Sequence, residues 1–263
     1  ITFKFLFMKK FILILIVFPI VLTFHQCQIK DEDLQNRHQI DSIVETRSNG
    51  NYSKVVAPDC DLTGFFSGLN QLISSTIIDT LYPYQNCPVE VEIDVTVFWN
   101  SEGRYFDFRE LRWRPLRPWD PACEQWYQDN FSSTYIGDKR EFYYEFVENL
   151  RWQTIDSFMI NYITYNSLYC SEQYEVAAYS FKSPCTQICH KTIQTKDGLD
   201  FVITEKPCAD DGCCLEWVDY CLNIVGEPII SRYVQPISSC SNYIIGDCEG
   251  GNTVGGCTEK GCL

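Results

Sequence analysis

The sequence predicts an α+β fold: a helix-and-antiparallel-sheet domain over residues 59–183, then a small disulfide-rich β meander, as a second domain or an extension, over residues 184–263. Three observations predict it. Apolar residues recur at three- and four-residue spacing over residues 62–81 and again over 138–165, the period of an amphipathic helix. Between these stretches, residues 89–99 alternate apolar and polar side chains, as in a strand with one buried face. Ten of the 15 cysteines, and both Asp-Gly pairs, fall after Ser183.

The first 26 residues predict export. Met8, Lys9 and Lys10 precede the apolar run from Phe11 to Phe24, the charged and hydrophobic regions of a secretory signal, and that run is short for a membrane span. Ile1 to Phe7 read as sequence upstream of that signal. Cys27 ends the apolar run, and Gln28-Ile29-Lys30-Asp31-Glu32-Asp33 follows it. This junction resembles the acidic tether behind the lipidated cysteine of some Gram-negative surface lipoproteins, a resemblance confined to the signal region. It implies a lipid anchor at Cys27, hence a membrane contact, and an outer-membrane or cell-surface location; otherwise the chain is secreted or periplasmic. The cysteine count agrees, since 15 is odd and setting Cys27 aside leaves 14 that can all pair. The alternatives are a cysteine removed with the signal or one left as a free or intermolecular thiol. Residues 27–58 are polar, without sustained apolar period, and read as a tether.

The folded elements follow in order. Phe65, Phe66, Leu69, Leu72, Ile73, Ile77 and Leu81 form one apolar stripe, predicting a helix capped by Asp61 and stopped before Pro83. Val89, Val91, Ile93, Val95 and Val97 define the buried face of a strand, turned back at Asn100-Ser-Glu-Gly103. Pairing about that turn sets Val97 against Phe106 and Val95 against Phe108. Past Arg109 the same register would drive Glu110 and Arg112 inward, so a bulge is expected there to return Leu111 and Trp113 to the core. A second helix, over 138–165, opens at Asp138 with Glu141 three residues on. Strands are expected near 186–195, 199–207, 214–222 and 228–236, with hairpin turns at Asp197-Gly198 and Asp211-Gly212. The last 26 residues carry four cysteines and six glycines, so cross-links replace a core there. Cys60, Cys87, Cys123 and Cys170 are expected to pair among themselves and the later ten likewise. Adjacent Cys213 and Cys214, on opposite faces of a strand, should bond different partners.

Charge and motifs narrow the function. Taking Lys4, Lys9 and Lys10 away with the signal leaves 18 of 21 basic residues against 35 acids, a charge of −17, which repels nucleic acid. Only His38 and His190 remain as histidines after the signal, so no metal, haem or other cofactor is expected. There is no Gly-x-Ser-x-Gly, His-Glu-x-x-His, phosphate-binding glycine loop or EF-hand pattern. Glu90, Glu92 and Asp94 share a strand face and keep open a secreted carboxylate-dependent hydrolase acting on polysaccharide. The one basic stretch, residues 104–119, sets Arg109, Arg112, Arg114 and Arg117 among Trp113 and Trp119. These six are the candidate binding residues, because guanidinium forks and indole faces suit an anionic or carbohydrate ligand, or another surface protein. The competing expectation is that these arginines pair with the chain's own acids, Asp94 and Glu110 among them. The function expected is that of an exported binding or structural protein rather than an enzyme.

Overall fold

The computed structural model describes residues 52–55, 60, 66–117, 121–132, 136, 139–171, 174–196, 198–209, 212–240, 243, 248, 251–259 and 262. It corrects the α+β expectation: the described chain is mostly β, ten strands in one mixed sheet with two helices. The stretch expected as the first helix supplies the longest strand. Strand β1 is Ser53–Val55, β2 is Asn70–Tyr84, β3 is Cys87–Trp99 and β4 is Gly103–Pro115. Ile73, Ile77 and Leu81 are four residues apart, a spacing that fits a strand face as well as a helix face, and they lie opposite Val97, Ile93 and Val89. What decides between the two is the filling. Asn70–Tyr84 is rich in Ile, Thr and Ser and holds no Ala, Glu, Lys, Arg or Met, so its local preference is for the extended chain. Asp61, the expected cap, lies outside the described residues.

The β3–β4 hairpin has the register expected from its turn, Val97 opposite Phe106 and Val95 opposite Phe108. Ile93 then pairs with Leu111, so Asp94 faces two residues of β4. This bulge leaves Leu111 and Trp113 fully buried. Beyond it the far edge of β4 divides. Residues 103–108 run parallel to β5, Glu175–Lys182, and residues 111–113 run antiparallel to β1. Two arms leave β4 in this way. One continues from β5 to β8, Cys213–Leu222, and β9, Pro228–Ser238; the other runs from β1 to β7, Gly198–Pro207, then β6, Cys185–Thr195, and β10, Asn252–Glu259.

Strands β6 to β9 fall where the sequence places them, but they are not one meander. β6 and β7 form a hairpin, as do β8 and β9, whereas β7 and β8 belong to different arms. Gly212 does not turn β7 back onto β8; a Cβ there would lie 2.9 Å from the Cys240 sulfur and 3.0 Å from Pro184, so glycine lets the crossing chain pass.

Helix α1, Pro121–Phe131, has no counterpart in the sequence reading, and α2, Arg140–Tyr165, is the expected long helix. Its cap position is Lys139, with no side-chain cap bond; Asp138 lies outside the described residues. Phe146, Val147, Leu150, Ile155 and Met159 pack with Phe106, Phe108, Leu111 and Trp113 in the main core. A smaller cluster, Phe181, Leu215 and Cys213 with Phe66, Tyr179 and Trp217, covers the opposite face of the first arm.

Seven disulfides pair the 14 cysteines other than Cys27. Cys213 and Cys214 bond Cys60 and Cys262, the different partners that opposite strand faces require. The expected segregation is corrected, because Cys60–Cys213 and Cys170–Cys221 join the earlier stretch to the later one. Pairing of β5 with β8 explains it, since that contact brings the two stretches side by side. Seven such bonds are consistent with an extracellular or secreted protein, as reducing compartments do not preserve them. Cys27 itself lies outside the described residues.

Candidate functional site

On the face of β3 and β4 away from the helices, Glu90 lies opposite Arg114 and Glu92 opposite Arg112. Arg112 reaches Asp94 at 2.6 Å, Glu110 at 3.1 Å and Glu92 at 3.2 Å. Arg114 pairs with Glu90 at 2.6 Å and lies over the Tyr52 ring at 4.7 Å. The other candidate arginines sit apart. Arg109 pairs with Asp107 at 2.8 Å and covers the Phe181 ring, while Arg117 pairs with Glu124 at 3.2 Å beside Tyr127. Trp113 is on the opposite side of β4, packed between Phe131 and Phe146 at ring distances of 5.3 and 5.1 Å. Trp119 lies outside the described residues. The basic cluster of the sequence is thus a ladder of ion pairs with the chain's own carboxylates.

The same ladder occupies the carboxylates that kept a hydrolase open. The Tyr52 hydroxyl stands 2.8 Å from Glu90 Oε1 and 2.7 Å from Glu92 Oε1, so both carboxylates have partners within the chain. Burial and these two carboxylates raise the Tyr52 phenol above its ordinary range.

A different group of acids lines open space. At the turn end of the first arm lies a cleft of about 860 Å³, walled by the Cys170–Cys221 disulfide, Ser171, Tyr174, Val176 and Tyr220, with Glu102, Glu175 and Asp219 as its ionisable carboxylates. Backbone pairing brings the acids together. Glu175 opens β5 opposite Gly103, its N–H bonds the Glu102 carbonyl at 2.7 Å, and Asp219 on β8 lies opposite Ala177. A Cβ on residue 103 would meet the Glu175 carbonyl oxygen at 2.3 Å, so this close approach needs glycine.

The acids differ in their surroundings. Tyr105 donates to Glu175 Oε2 at 3.3 Å, and burial followed by the nearby Glu175 charge pushes that phenol up to about 12. Among the described residues Asp219 Oδ1 is buried without a hydrogen-bond partner. Burial, and then the Glu175 charge, push the Asp219 carboxyl up to about 6. Tyr179, raised by burial and by Glu175, Tyr105 and Asp219, completes the group. Arg104 is bonded to Tyr162 on the helix side of the sheet and to Tyr174 of the cleft wall, while no basic residue itself lines the cleft among the described residues. Nor are three or more His, Cys, Asp or Glu side chains placed to hold a metal ion among those residues.

Sequence reasoning missed Glu175 and Asp219. Neither stands in a motif, and they meet only through the pairing of β5 with β8; a known Cys170–Cys221 linkage would have been the one pointer. No protein-family model, curated protein or solved structure matches the chain.

Proposed function

We propose that this is an exported binding protein, held at the cell surface through Cys27, whose cleft takes a positively charged group. The observation that carries this reading is Asp219 beside the charge of Glu175 in the wall of an open cleft that has tyrosines in its lining and, among the described residues, no basic one. A ligand ammonium or guanidinium in the cleft would relieve the repulsion between the two carboxylates. Tyrosine faces favour such a cation further. The acidic field of the whole chain, −14 in formal charge, draws cations toward it. An anionic ligand on the arginine ladder is the weaker reading, because Arg112 and Arg114 are engaged by four carboxylates.

A peptide of alternating lysine and serine, titrated at low ionic strength, tests the proposal. Binding should weaken about tenfold in Glu175→Gln and in Asp219→Asn, the loss of roughly one charged hydrogen bond. Equal affinity for wild type and both variants would refute it.

A second reading has one observation in its favour. Asp219, raised to about 6 by burial and by the Glu175 charge, is one carboxyl suited to act as an acid beside a second carboxyl, the pair of groups that glycoside hydrolysis uses. Release of reducing ends from soluble polysaccharides by wild type, but not by Glu175→Gln, would establish it; no release by either would remove it.

A further inference from the structure

One rim of the cleft is apolar and ends in an exposed hairpin tip. The Cys170–Cys221 wall continues directly into Tyr169 on one segment and Leu222, Asn223 and Ile224 on the other, and Tyr169 bridges Leu222. Tyr169 is 55% exposed, Ile224 97% and Val225 71%. Turn positions ordinarily carry polar residues, so two β-branched aliphatics at a hairpin tip are an exception.

The tip is also rigidly built. Asn223 Oδ1 accepts the N–H groups of Val225 and Glu227, both at 2.9 Å, and the Asn223 N–H bonds the Glu227 carbonyl at 2.8 Å. Gly226 closes the turn at φ 85°, a left-handed conformation that favours glycine. Behind it the Leu222 N–H bonds Leu168 O at 2.8 Å and the Cys170 N–H bonds Leu222 O at 2.9 Å. The aliphatic side chains are therefore presented in a fixed place, which lowers the entropy lost on docking.

Charge identifies what could cover this rim. No lysine or arginine occurs between Arg151 and Lys182 or between Lys206 and Arg232, the two stretches that build the rim and most of the cleft. Every formal charge they carry is negative, which disfavours anionic lipid and nucleic acid. We propose that cleft and tip form one docking surface for a partner protein that presents a basic side chain flanked by apolar ones. The basic group enters between Glu175 and Asp219 while the apolar neighbours cover Tyr169, Ile224 and Val225. This is the anatomy of a protein interface, a polar anchor within an apolar contact. It rests on the reading of the cleft as a cation site.

The test compares two peptides with equal numbers of lysines, one alternating with leucine and one with serine, binding to the full chain. The lysine–leucine peptide should bind about tenfold tighter. Ile224→Ser/Val225→Ser should abolish that difference and leave lysine–serine binding unchanged, with an unaltered thermal midpoint showing the fold intact. Equal binding of the two peptides to wild type overturns the docking surface while leaving the cation site standing. Lysine–serine binding indifferent to Glu175→Gln and Asp219→Asn overturns the cation site itself. Tip-dependent sedimentation with phosphatidylcholine vesicles, without preference between the peptides, would assign the tip to lipid and also overturn the proposal.

Discussion

Replacing Asp219 by Asn should make the protein more stable at neutral pH and leave it unchanged in acid. In the folded chain this carboxyl is pushed up to about 6, first by burial and then by Glu175; unfolded, it titrates near the usual 3.8. The folded state thus holds the Asp219 proton to higher pH than the unfolded state. Its stabilising effect is complete below about pH 4 and is lost as pH rises through about 6. Without screening the difference would be worth about 3 kcal/mol. Asp219 is only half-buried, and solvent reduces this to about 1 kcal/mol. For a folded region of this size that is a shift of about 2–4 °C in thermal midpoint. Melting curves with the disulfides intact should show the Asn variant higher by that amount at about pH 8 and equal to wild type near pH 4. A gap of constant size across this range, or a variant less stable at about pH 8, would refute the placement of Asp219 beside Glu175.

Three further outcomes are expected. Arg112→Ala leaves the nearly buried Glu92, with Asp94 and Glu110, without its shared partner, and should cost about 2 kcal/mol in denaturant unfolding; a change within about 0.5 kcal/mol would mean that the ladder is solvated and unimportant. Gly103→Ala forces β4 away from the Glu175 carbonyl and should lower both stability, by about 1–3 kcal/mol, and lysine-peptide affinity; a wild-type-like variant would show that this approach is looser than described. Cells fed a fatty-acid analogue should label the wild-type protein but not Cys27→Ala, and equal labelling of the two would exclude the anchor.

Local features of this chain were legible in its sequence and long-range ones were not. The β3–β4 register and its bulge follow from a four-residue turn and from the need to keep Leu111 and Trp113 inside, both matters of a few adjacent residues. The bounds of β6 to β9 follow similarly from alternation and punctuation. The helix expected over residues 62–81 fails because Ile73, Ile77 and Leu81 satisfy two periods at once, and the β-branched filling of the strand decides between them. Helix α1 escaped notice because only Cys123, Tyr127 and Phe131 are buried on its 11 residues, too few to announce a period. The fork at β4 arises from parallel pairing with β5, whose partners such as Gly103 and Glu175 are far apart in sequence, which no local pattern encodes. The arginines were visible as a cluster, but the carboxylates that engage Arg112 and Arg114 come mainly from β3, and the cleft acids come from three separate segments. A site assembled from non-local strand pairing leaves no spacing to detect.

Chemical coupling tests the cation site most directly. Tetralysine bound to the native protein and joined by a zero-length carbodiimide should form amide bonds at Glu102, Glu175 or Asp219, identified by peptide mass spectrometry, in clear excess over other carboxylates, and excess salt should suppress this labelling. Labelling spread evenly over the exposed acids of the chain, with no preference for those three, would contradict the cleft as a binding site.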